Sequence, residues 1–335
     1  MRIVQLLLIG LFLISCSEKK SDLGNGLFTF TEPQQIEQRE IKDLNTLDSL
    51  NLDSLGLFTP RVLVKVKKGL VFLDRTSRTI VQTDNDLRIL NTFEIPEGRG
   101  PGELGLVRRF DEKDGKIAFI DNGLKKLTLY SLEGKFLKDL KVSGFPLIEL
   151  VEIINSDEYL IASTFATDSL YHLIDSKGNI LKRIQSSKQV DNPMMFTAQL
   201  KVSGNNLYMA GYSEPVIKKY SLENGSLIYS KEMIDSYETT ENYMSFSNGA
   251  GFTDEAIYGS MAIAIENGFF YSARHHNGKK GYKFLDVYSE DFGEYEFSYL
   301  LDNYINNESI AVDDDHLYTI ETNSKGENLL MKYAF

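Results

Sequence analysis

From about residue 60 to the end, the chain alternates short apolar runs with brief clusters of Gly, Asn, Asp and Ser. The runs are β-branched and aromatic and too short for amphipathic helices, which is the pattern of an all-β protein. One unit recurs: a turn, an apolar strand, a polar loop, a second strand, another turn and a third strand. It appears first as Lys68 to Asp74, Thr79 to Gln82 and Ile89 to Ile95, and returns as Gly115 to Asp121, Leu127 to Tyr130 and Phe136-Leu137. Further copies begin at Glu158, Asn206, Gly268 and His316. A preceding strand, as in Arg61 to Val66 or Leu147 to Ile154, brings most copies to four strands. The period is close to the roughly 40–50 residues of propeller repeats. The pattern therefore predicts a six-bladed β-propeller with four-stranded blades over residues 27–335. A β-sandwich has no reason to keep this spacing. The sixth copy stops one strand short, and the β-prone stretch from Leu27 to Ile41 is expected to supply that strand. Closure by an N-terminal strand would also cover an open sheet edge.

Composition narrows the function. Apolar residues at 42% and charged residues at 25% of 335 are those of a folded domain, not a disordered chain. A formal charge of −12 excludes nucleic acid as a partner, because the phosphate-neutralising surface is lacking. A single cysteine excludes a disulfide framework and a Cys-rich zinc site.

That cysteine ends a secretory signal. Arg2 is followed by an apolar run from Leu6 to Ile14, too short for a bilayer span of about 20 residues, and then by Ser15-Cys16. Leu13-Ile14-Ser15-Cys16 resembles the lipobox of bacterial lipoproteins. The resemblance implies removal of residues 1–16, with Cys16 diacylated as the first residue of the mature chain. Residues 17–26 are polar, contain two glycines, and read as a tether. Two or more acyl chains hold a protein on a membrane durably, so the anchor is expected to be its whole membrane attachment. No Asp follows Cys16, which favours the outer membrane.

Between the first two copies lies Glu97-Gly98-Arg99-Gly100-Pro101-Gly102-Glu103-Leu104. With the lipobox and the six blades, this string resembles the TolB-like and NHL-like six-bladed propeller lipoproteins of Bacteroidota. The resemblance covers the mature chain and implies a fold and an envelope location, but no catalytic residue. Physically the string is an interblade crossing in which three glycines and one proline set a tight backbone path. No Lys-Ser/Thr and no helix follow, so it is not a phosphate-binding P-loop. Glu103 and Arg99 either bond locally or contact a ligand.

In a propeller the loops between second and third strands share a face with the interblade crossings. That face collects Arg75, Arg78, Asp121, Asn122, Arg108, Arg109 and Arg274-His275-His276, together with the long crossing that carries Tyr243 and Phe246. Aromatic and arginine residues on loops are enriched where proteins bind partners. A glycan, peptide or protein of the envelope is the expected ligand, with Arg99, Glu103, Arg274, His275, His276, Tyr243 and Phe246 as candidate contacts. The alternative is a hydrolase or lyase using a divalent ion at the channel, with Glu103, Asp121 and Asn122 nearest to hand. Adjacent histidines on a strand point apart, Asp313-Asp314-Asp315 lacks the alternation of a calcium loop, and no Gly-x-Ser-x-Gly elbow occurs. No cofactor is expected. Asp74, Asp121 and Asp286 end or follow apolar strands and are expected to bond backbone at blade turns.

Overall fold

The computed structural model describes residues 39–142, 144–163, 170–184, 198–212, 215–234, 243–246, 249–252, 257–276 and 283–335, with backbone alone at 243–246, 249–252, 257–258, 275–276 and 283. The signal segment, Cys16 and the tether lie outside the described residues. Five antiparallel blades follow in chain order, running from Pro60–Val66 out to Ile89–Glu94, Phe110–Lys113 to Phe136–Lys141, Leu150–Ile153 to Ile180–Ile184, Ala198–Ser203 to Leu227–Glu232, and Ile257–Glu266 to Tyr295–Leu300. A two-stranded hairpin, Tyr243–Phe246 with Gly249–Phe252, lies in the long crossing before the fifth blade. The sixth blade has Tyr304–Val312, His316–Thr322 and Asn328–Ala334, and its fourth strand is Asn45–Asn51, antiparallel to Asn328–Ala334. An N-terminal strand thus closes the six-bladed ring, as the repeat count requires.

The closing strand lies later in the chain than the Leu27 to Ile41 stretch. Ile41–Lys42 instead adds a short parallel strand outside Tyr295–Leu300 of blade five. Arg39 secures this edge, bonding the Asp286 carboxylate and the Ser298 hydroxyl and stacking over Phe284.

The first strand of every blade faces the central channel, and neighbouring first strands touch around the ring. Second and third strands are covered on both sides, so Gly69–Asp74 reads as a nearly continuous apolar run and Lys126–Ser131 is buried up to its last residue. Outer strands are half exposed and alternate. Burial accordingly falls into six apolar clusters, one between each pair of neighbouring blades. The cluster between blades six and one contains Leu52 at 0% exposure, just after the closing strand, packed with Phe72, Tyr318 and Leu330. Turn chemistry fits the same geometry. Gly178 turns blade three at φ +84°, and a Cβ there would sit 2.2 Å from the Lys141 carbonyl oxygen of blade two. Only glycine permits that approach.

Candidate functional site

The crossing from blade one to blade two is fixed from several sides. Asp74 accepts hydrogen bonds from the Thr59 amide at 2.6 Å and the Ser77 amide at 2.9 Å, which shapes the loop carrying Arg75 and Arg78. The Arg78 guanidinium donates to the carbonyls of Ile95 at 3.1 Å and Pro96 at 3.3 Å, and to that of Leu104. Glu103 accepts from the Gly100 amide at 2.7 Å, Tyr130 donates to the Gly102 carbonyl, and Lys126 donates to the Gly100 carbonyl at 3.1 Å. Asp121 accepts from the amides of Gly105 at 2.6 Å and Leu124 at 2.9 Å. Asp74 and Asp121 are therefore backbone staples, as expected. Asp286 differs: its partners are the side chains of Arg39, Ser298 and Arg274.

At the end of this crossing the channel opens into a cavity of about 400 Å³. Four arginines line it: Arg61 from the first strand of blade one, Arg75 from the loop above, and Arg108 and Arg109 from the end of the crossing. Only two glutamates, Glu149 and Glu308, join them. Arg109 pairs with Glu308 at 2.5 Å and donates to the Glu149 carbonyl at 3.4 Å. Arg109 and Glu308 also line a second cavity of about 270 Å³ lower in the channel, so their ion pair is the floor of the mouth. Asn122 bonds both the amide and the carbonyl of Ile148, at 2.7 and 2.6 Å, and fixes the opposite rim.

The remaining guanidiniums are poorly matched. No described residue pairs with the side chains of Arg61, Arg75 or Arg108, and the Arg75 Nε is buried without an acceptor. Burial, and then the nearby charges of Arg61 and Arg108, lower the Arg75 pKa below its ordinary value. Burial also raises the Glu308 carboxyl, against the pull of Arg109 and Arg61. Backbone geometry marks the same place. Val62 sits at φ +57° and Glu308 at φ +60°, each where the pairing register of a first strand shifts, between Arg61 and Val64 and between Ile305 and Ile310. Such bulges re-aim the side chains beside them. Positive φ at a β-branched or bulky residue costs about 1–3 kcal/mol and persists where the surroundings impose it.

Of the residues placed on this face from the sequence, Arg75, Asn122, Arg108 and Arg109 line the cavity, whereas those named as candidate ligand contacts do not line it. Arg99 is exposed on the crossing loop, and Glu103 is spent on its own turn. Arg274 is 8% exposed within blade five, where it donates to the Ile234 carbonyl and lies 3.9 Å from Asp286. His275 and His276 end the second strand of that blade, and Tyr243 and Phe246 belong to the hairpin. Their side chains lie outside the described residues. Glu103, Asp121 and Asn122 each hold backbone amides, and among the described residues no three His, Cys, Asp or Glu side chains gather into a metal-binding group.

Lower in the channel, Lys201 of blade four reaches Asp111 of blade two at 3.1 Å and Glu152 of blade three at 3.2 Å. Asp111 also accepts from the Ile153 amide at 2.8 Å, and Glu152 from the Val202 amide at 3.3 Å. One ammonium thus serves two buried carboxylates. Burial, reinforced by Asp111, pushes Glu152 up to about 8. Burial likewise pushes the neighbouring Glu112 up to about 7. The two carboxylates hold Lys201 charged by raising its pKa, against the effect of its own burial.

No family model matches the chain, and no curated protein matches its sequence. Solved structures match it in fold. A protein described as exported, from Bacteroides fragilis, is 13% identical over 90% of this chain and 93% of its own, with a TM-score of 0.58. A member of the DUF4221 family from Bacteroides vulgatus is 10% identical over 89% of this chain and 99% of its own, at 0.59. A streptogramin B lyase is 14% identical over 87% and 98%, at 0.54. At these identities the likeness establishes the propeller and nothing finer.

Proposed function

We propose that the protein is a lipid-anchored propeller of the bacterial cell envelope, of the TolB-like and NHL-like kind. In this reading it binds a glycan, peptide or protein partner at the channel mouth on its loop-rich face, without catalysis. The observation that carries the proposal is the mouth itself: a cavity of about 400 Å³ whose arginines outnumber its glutamates on a chain of formal charge −12. Ligand sites are concave, largely pre-formed, and built from a few convergent polar groups on apolar walls. Leu106 and Leu147 supply apolar wall here.

Glycan and peptide arrays probed with the full chain test the face. Leu106→Glu and Leu147→Glu should abolish the signal, while Lys135→Glu, on an exposed turn at the opposite end of blade two, should leave it intact. Equal loss, or no loss, in all three variants would remove the mouth as the binding site. The anchor rests on Cys16. Cys16→Ser should stop incorporation of labelled palmitate and move the protein out of the membrane fraction. Unchanged labelling would overturn lipidation at that residue. Without an Asp after Cys16, the outer membrane is the proposed location.

A further inference from the structure

We propose that the channel mouth is built for an oxyanion group carrying two or more negative charges, a phosphate ester or a di- or tricarboxylate. Arg61, Arg75 and Arg108 would grip it, and Arg109 would be held beneath them by Glu308. The inference rests on the reading of this mouth as the binding face and names the ligand chemistry it takes.

Three observations converge. Like charges outnumber counter-charges: four guanidiniums and two glutamates line one cavity, and among the described residues only Arg109 has a carboxylate in contact. An arginine with no task turns into solvent, where hydration stabilises its charge. Arg75 instead keeps its Nε buried and unpaired, and its charge is opposed by Arg61 and Arg108. The backbone is bent to produce this. Val62 and Glu308 lie at positive φ in the first strands of neighbouring blades, beside the cavity, at bulges that interrupt otherwise regular pairing. Binding of an anion would relieve the like-charge crowding, and the strained backbone shows that the surroundings hold the arginines in this arrangement.

The chemistry follows from the guanidinium. Its planar fork donates two parallel N–H bonds to carboxylate or phosphate oxygens, and it loses less hydration than an ammonium on doing so. Three unpaired forks suit a multiply charged oxyanion rather than a lone carboxylate. The cavity volume is that of a small molecule or of the charged end of a larger chain. The Arg109–Glu308 pair closes the floor, so such a group would rest at the mouth rather than pass down the channel.

The test is thermal melting and titration calorimetry on the full-length chain with sodium phosphate and with sodium citrate, against sodium chloride at matched ionic strength. A saturable rise in Tm with phosphate or citrate, absent with chloride, is expected. The stronger of the two identifies the phosphate or the polycarboxylate source. Arg75→Gln and Arg108→Gln should each weaken that binding by about tenfold or more. Arg75→Gln should also melt higher than the parent without anion, because a crowded cation has been removed. The proposal is overturned if neither anion saturates, or if both variants bind as the parent does. If anions fail while Leu106→Glu still abolishes array binding, the face stands and only the anion chemistry falls. If Leu106→Glu leaves array binding intact and anions fail, both fall.

Discussion

A chain that begins at residue 53, without the closing strand Asn45–Asn51, will aggregate or unfold without a cooperative transition. A chain that begins at residue 39 will unfold as cooperatively as the full protein. The sixth blade has only three strands of its own, and the fourth joins residues 45–51 to 329–334 across almost the whole sequence. Without it the N–H and C=O groups of Asn328–Ala334 form an open edge, which recruits other chains. Removal also takes Leu52 and the half-buried Leu50 from the cluster between blades six and one, and full burial of a side chain such as Leu52 contributes about 1.5–3 kcal/mol. The order of the ring is lost as well, because each blade packs only on its neighbours and the closing strand makes six a circle. Residues 39–42 add a separate contact on blade five through Arg39, which the longer chain retains. Urea unfolding followed by circular dichroism, with gel filtration of each chain, measures the difference. A monomeric chain from residue 53 with the parent's midpoint and slope would show that the ring does not depend on this strand.

The repeat was legible because each blade repeats the same physical demand. Middle strands covered on both faces are rich in apolar residues, and the tight turn from the third strand to the outer strand needs residues such as Gly178 and Asn179. The closing strand was not legible for the converse reason. Asn45–Asn51 is an outer strand with five of its seven residues exposed, so hydrogen bonding to its neighbour suffices and its composition is free to be polar. Leu27 to Ile41 carries a stronger β pattern and drew the assignment away from it. The site divides in the same manner. Arg75, Arg108 and Arg109 could be placed on the loop-rich face by topology. Arg61 and Glu308 could not, because each lies in a strand whose side-chain direction is reset by a bulge at Val62 or at Glu308 itself. No composition rule announces a positive φ at valine. Arg274 shows the opposite case: a charged residue beside two histidines resembles a functional loop, yet it lies within a strand and is buried near Asp286.

Replacing Lys201 by methionine will destabilise the protein by about 2–4 kcal/mol at pH 9.5, above the folded pKa of Glu152, and by distinctly less at pH 5. The substitution leaves Asp111 and Glu152 facing each other across blades two and three with no cation between them. Breaking a buried pair by removing one partner costs more than the pair contributed, since the remaining charge keeps its desolvation penalty. The lower end of the range applies because Lys201 is 31% exposed to the channel and partly hydrated. The pH dependence follows from Glu152, whose pKa rises from 4.5 unfolded to about 8 folded. A carboxyl with a raised folded pKa binds its proton more tightly in the native state. Its contribution is complete below 4.5 and is lost as pH rises through about 8. Glu112, raised to about 7, acts with the same sign. The raised Lys201 pKa leaves the ammonium charged throughout this window. The parent protein should therefore melt higher at pH 5 than at pH 8, and Glu152→Gln should flatten that slope. In Lys201→Met the pull that kept Glu152 from rising further is gone, so the proton is held at pH 5 as in the parent and little unpaired charge remains beside Asp111. At pH 9.5, by contrast, the parent's Glu152 ionises against Lys201, and the variant's has no cation to ionise against. Melting curves for the parent and both variants at pH 5, pH 8 and pH 9.5 decide the matter. An equal deficit for Lys201→Met at pH 5 and pH 9.5 would mean that the lysine matters for packing rather than for charge.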